Sequence, residues 1–218
     1  MSQDRAQAKR PEASWTAILT VLGAVLLQLL QPTWLVPGAR WMLPTLEIAL
    51  VVALLLAGRY RHHEESSWAR IISLTMIAVI TAANSYALAV LAYELIHGSQ
   101  AAGRYLIESA ILIWFTNVVV FGLWYWELDR GGPGARTAPS QPPPEFLFSQ
   151  MTKPNLADEH WRPLFLDYLY VAFTNATAFS PTDTMPLSRR IKILMSVQSL
   201  VSFVTVGLVA ARAVNILT

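Results

Sequence analysis

The sequence predicts an all-α membrane protein with about five transmembrane helices and a re-entrant half-helix before the last of them. Three observations carry this expectation. Hydrophobic residues make up 54% of the chain and charged residues only 14%, against roughly 45–50% and about 25% in soluble domains. Long apolar stretches recur along the chain. Trp15, Trp34, Trp41, Trp68, Trp124 and Trp126 lie near their ends, where amphipathic rings settle at the headgroup level.

The first four stretches cover residues 15–35, 41–56, 71–96 and 106–126. Each approaches the roughly 20 residues that a helix needs to cross about 30 Å of hydrocarbon. The first follows Lys9 and Arg10, as the apolar core of a signal peptide would. Its best small-residue cleavage site, Pro37-Gly38-Ala39, lies well beyond the apolar run, so an uncleaved helix is the reading. The second is the shortest, and Pro44 stands near its start, where a proline costs little.

Four regions follow from this pattern: a tail over 1–14, a four-helix membrane region over 15–127, a linker over 128–163, and a membrane module over 164–218. In the linker, Gly131-Gly132-Pro133-Gly134 and Pro142-Pro143-Pro144 bound a stretch that cannot be helical and has little to bury. A mixed stretch with Lys153, Asp158, Glu159 and Arg162 continues it, and no fold is predicted there.

The last module opens with an apolar run over 164–179 that contains Asp167. At about sixteen residues it is too short to cross and fits a half-helix. A polar turn with Ser180, Pro181, Thr182, Asp183 and Pro186 follows, and then a full-length helix over 191–217. With the N-terminus inside, the inner loops hold Arg5, Lys9, Arg10, Arg59, Arg61, Arg70, Arg130, Arg136, Lys153, Arg162, Arg189, Arg190 and Lys192. The outer side holds only Arg40, Arg104 and Arg212. The excess predicts a multi-pass cell-membrane protein with a cytoplasmic N-terminus.

A helix that stops inside a bilayer must have its freed backbone groups satisfied by protein or by water. The segment 174–183 meets that demand with Thr174, Asn175, Thr177, Ser180 and Asp183 around Ala178 and Phe179. Such a turn can aim hydroxyls and carbonyls into a pore. An interfacial helix followed by a polar turn explains it equally well. On the last helix Gln198, Ser202 and Thr205 fall on one face, which can line a pore or seal a helix contact.

The order of short aromatic helix, Thr174-x-x-Thr177, turn, Asp183, Pro186, basic residues and long apolar helix resembles the pore region of tetrameric potassium channels. The resemblance covers residues 167–217, about a quarter of the chain. It implies a pore loop in a homo-oligomer, a tetramer by analogy, with Thr177 matching the filter threonine and Asp183 the acidic residue behind it. Ala178-Phe179-Ser180-Pro181 stands where that family has Val-Gly-Tyr-Gly. Phe179 and Pro181 do not readily adopt the glycine conformations of that filter, so potassium selectivity is not implied. The charge count also places this turn on the cytoplasmic side, opposite to the channel filter. The layout is also similar to uncharacterised bacterial inner-membrane proteins with an Asp-containing turn, a basic stretch and a last helix ending in Val-Asn-Leu, here Val214-Asn215-Ile216-Leu217.

The expected function is therefore channel-like passage of a small ion. The alternatives are a non-conducting scaffold or partner subunit, and a proton-coupled carrier using Glu47 with Glu108. His62-His63-Glu64-Glu65 and Asp158-Glu159-His160 read as solvated turns rather than metal sites. Asn84, Asn117 and Ser199 read as interhelical hydrogen-bonding groups, and Trp124 to Arg130 as an interfacial anchor. Cysteine is absent, and no nucleophile-base pairing or phosphate loop stands out. An enzyme, a cofactor and a nucleic-acid partner are not expected; the partners are the bilayer and the chain itself.

Overall fold

The computed structural model describes residues 14–35, 45, 48–49, 67–97, 103–137, 140–152, 161–178 and 183–217. Five helices dominate them: α1 (Ser14–Leu29), α2 (Ser67–His97), α3 (Gly103–Leu128), α4 (Phe165–Ala178) and α5 (Arg189–Leu217). Two three-residue strands, β1 (Phe146–Phe148) and β2 (Thr184–Pro186), pair antiparallel with Leu147 opposite Met185.

Among the described residues, three helices are long and apolar enough to cross a membrane, over Arg70–His97, Arg104–Gly131 and Arg189–Arg212. Their length and composition suit a membrane protein. At 16 residues α1 falls short of that length, rising about 24 Å. The expected second segment, 41–56, lies outside the described residues except for Thr45, Ile48 and Ala49.

Helix directions follow from the side chains that meet. The Trp124 indole of α3 donates to the Thr81 hydroxyl of α2 at 2.9 Å, while Leu106 clusters with Leu91. The two helices are therefore antiparallel. Along α4, Phe165 meets Trp126 of α3 and Phe173 meets Trp114. Along α5, Gln198 meets Tyr125 and Ser202 meets Asn117. Both α4 and α5 thus run against α3 and parallel to each other. Helix α1 rests mainly on α3, with Ala24 and Val25 in the buried cluster that holds Val118 and Phe121, while Leu35 beyond α1 joins the cluster of Leu91 and Leu106. The starts of α1, α2, α4 and α5 therefore gather at one end of the bundle, with the end of α3.

The larger apolar cluster sits at that end around Tyr125, Phe146 and Tyr168, all fully buried. The segment after Pro144 has a fold that its composition did not reveal. Phe146 and Phe148 drive β1 into the core, and β2 ties the start of α5 to it. Ser149–Thr152 adds one helical turn.

Gly122 sets the spacing of α3 and α4. A Cβ there would stand 3.2 Å from both the Cα and Cδ1 atoms of Leu169. Gly122→Val is expected to cost about 1–3 kcal/mol through forced separation of the two helices. Thermal unfolding in detergent measures this, and a variant as stable as the parent would rule out the close approach.

Candidate functional site

Two polar layers lie where α3, α4 and α5 meet. The inner one is an amide network. Gln198 is fully buried, accepts from the Tyr125 hydroxyl at 2.5 Å and from the Asn175 amide at 2.8 Å, and donates to the carbonyl of Ala172 at 2.8 Å. Asn175 also donates to the Met195 carbonyl at 2.9 Å, and its own side-chain oxygen accepts from Ser199 at 3.1 Å. Asn117 donates to the Ser202 hydroxyl at 2.9 Å. Interhelical bonds of this kind are worth about 0.6 kcal/mol on average in a membrane, and this network joins three helices.

The outer layer caps the bundle end. Asp129 has no exposed surface, and its carboxylate accepts from the backbone N–H of Glu145 at 2.7 Å and the hydroxyl of Tyr168 at 2.6 Å. A longer bond of 3.4 Å comes from the N–H of Phe146, and the Arg130 Nε lies 3.9 Å away. Arg136 folds back to donate to the carbonyls of Trp126 and Asp129, with its guanidinium 5.5 Å from the Trp126 ring and 5.4 Å from the Tyr168 ring. It therefore caps the carboxyl end of α3 and neutralises the negative end of its dipole. The chain turns there with positive φ at Arg130, Gly131 and Gly132.

Glu145 completes the cap through an ion pair with Arg190 at the start of α5, while its carbonyl accepts from Leu187 N–H at 2.8 Å. Burial alone would push the Glu145 carboxyl up. Hydrogen bonds from Arg190 and Ser188, with the Arg190 charge, outweigh that and hold it below the usual carboxylate range.

The residues singled out in the sequence are placed as follows. Thr174, Asn175, Thr177 and Ala178 all belong to α4. Thr174 donates to the carbonyls of Tyr170 and Val171, and Thr177 to those of Phe173 and Thr174, so both hydroxyls return to their own helix. Thr177 is exposed, whereas Asn175 points into the bundle. Phe179 and Ser180 lie outside the described residues, and Asp183 is exposed before β2. Gln198, Ser202 and Thr205 are buried. Gln198 and Ser202 bond across to Ala172 of α4 and Asn117 of α3, whereas Thr205 returns its hydroxyl to the Val201 carbonyl of its own helix.

Glu108 forms an i,i+4 ion pair with Arg104 at 2.6 Å on the surface. Glu47, His62-His63-Glu64-Glu65 and Asp158-Glu159-His160 lie outside the described residues. No cluster of metal-ligating side chains occurs among the described residues.

Sequence reasoning missed Asp129, Tyr168, Glu145 and Arg136. One signal was present: an acidic residue closing α3 faces the negative end of the helix dipole and requires compensation. Comparison with protein-family models, curated proteins and solved structures finds no match for this chain.

Proposed function

We propose that this chain is a channel-like membrane protein that conducts a small cation through a homo-oligomer, with α4 as a re-entrant half-helix. The supporting observation is that α4 has 14 residues, starts at the same bundle end as α5, and runs parallel to it. It rises about 21 Å and ends beside the middle of α5, which supports a segment that enters and leaves the bilayer on one side. Arg70, Arg130, Arg136, Arg162, Arg189, Arg190 and Lys192 belong to the segments at that end, which favours the cytoplasm.

Inside one chain, the amides of the inner layer engage one another. The path therefore runs between copies, along the outward side of α4, where Tyr170, Phe173 and Thr177 are exposed. The carboxyl end of a helix carries partial negative charge and favours a cation there. Asp183, exposed just before β2, adds an attracting charge at the mouth. The folded cap with exposed Met185 and Leu187 favours a second reading, a partner subunit that docks a cytoplasmic protein.

Ion flux through purified protein in liposomes tests the proposal, with K⁺, Na⁺ and Cl⁻ gradients. Cation flux that falls several-fold in Thr177→Ala and Asp183→Asn is the expected result. No flux from folded, oligomeric protein would remove the channel reading in favour of the partner subunit.

A further inference from the structure

We propose that the outward face of α5 binds an anionic phospholipid of the cytoplasmic leaflet, with its phosphate on Arg189 and Lys192. This does not rest on the channel reading beyond the side assigned to that end. The buried side of α5 carries Ile191, Met195, Gln198, Ser202 and Thr205; the opposite side exposes Ile193, Val197, Leu200 and Phe203. The apolar stretch of α5 is 22% buried, against 61% for that of α3. From Ile193 to Phe203 the helix rises about 15 Å, half of the roughly 30 Å hydrocarbon core. One acyl chain matches that stripe in length.

The cations at its head are what select the lipid. Arg130 is held by Gln141 and Asp129, Arg136 by two carbonyls and two rings, and Arg190 by Glu145. Arg189 and Lys192 are exposed in the first turn of α5, and among the described residues neither side chain meets an acidic partner. They lie one turn apart, directly above Ile193 and Ser196 on the same side. The Ser196 hydroxyl is turned back to the Lys192 carbonyl, which leaves the two cations as the donors. Basic side chains at the cytoplasmic surface attract anionic headgroups. A second copy on this face would instead bring Arg189 and Lys192 of each chain together across the symmetry axis, and like charges oppose that contact.

The test uses the full chain in neutral detergent, with dioleoyl phosphatidylglycerol and dioleoyl phosphatidylcholine as probes. Native mass spectrometry and the thermal midpoint are the readouts. Phosphatidylglycerol is expected to remain as an adduct and raise the midpoint, while phosphatidylcholine does neither. In Arg189→Gln/Lys192→Gln the adduct should weaken about tenfold or more, while Arg104→Gln at the other end leaves it unchanged. Equal retention of both lipids, or an unchanged adduct in the double variant, overturns the proposal. An equal shift with inorganic phosphate would also overturn it, as would a disulfide dimer formed by Leu200→Cys in the membrane, because a second copy then covers the face.

Discussion

Asp129→Ala is expected to destabilise the protein by about 3–5 kcal/mol, as removal of one partner from a buried charged network does. Two short hydrogen bonds, from Tyr168 and from the N–H of Glu145, lose their acceptor at a site with no exposed surface. Each orphaned donor costs about 1–3 kcal/mol by itself. The loss is not confined to α3, because the same carboxylate holds the start of β1 and the first turns of α4. Unfolding in detergent should show the stability change, and protease cleavage within 140–150 should accelerate in step with it. Asp129→Asn keeps an acceptor and should fall between parent and alanine variant. An alanine variant within half a kcal/mol of the parent would show that the cap holds without the carboxylate.

Gln198→Leu is expected to cost about 2–4 kcal/mol, from several intramembrane bonds worth up to about 1.7 each. The Tyr125 hydroxyl, one Asn175 contact and the Ala172 carbonyl lose their partner together. Ser202→Ala removes only the contact with Asn117 and should cost less than about 1 kcal/mol. A double-mutant cycle between Gln198→Leu and Asn175→Leu should return a coupling of about 0.5–2 kcal/mol. Strict additivity would mean that the two amides act independently, contrary to the 2.8 Å bond between them.

Hydropathy made most of the helices legible. The apolar runs at 71–96, 106–126 and 164–179 fall close to Ser67–His97, Gly103–Leu128 and Phe165–Ala178. The polar face of Gln198, Ser202 and Thr205 was legible as a face, since its spacing follows the helix repeat. Its neighbour was not. Periodicity states which residues point together, and only the parallel placement of α4 and α5 against α3 decides what they point at. The cap was hidden for a related reason. Asp129 lies 16 residues from Glu145 and 39 from Tyr168 in the chain, so no local pattern joins them. The aromatic run before it satisfies the rule for an interfacial anchor, which covers a second use of the same residues. Arg136 between two rings and two carbonyls is likewise a contact that composition does not disclose.

The cap also imposes an order on biosynthesis. Synthesis proceeds from the N-terminus at about 5–20 residues per second, so α3 is in place seconds before Tyr168 emerges. During that interval the Asp129 carboxylate lacks the Glu145 N–H and the Tyr168 hydroxyl that hold it in the finished fold. The aromatic surface of Trp126 and Tyr125 waits with it, open to lipid or to a chaperone. Arrival of β1 and α4 closes both at once, and β2 then fixes where α5 may start. The first turn of α5 therefore gains its fixed position only once the cap is complete.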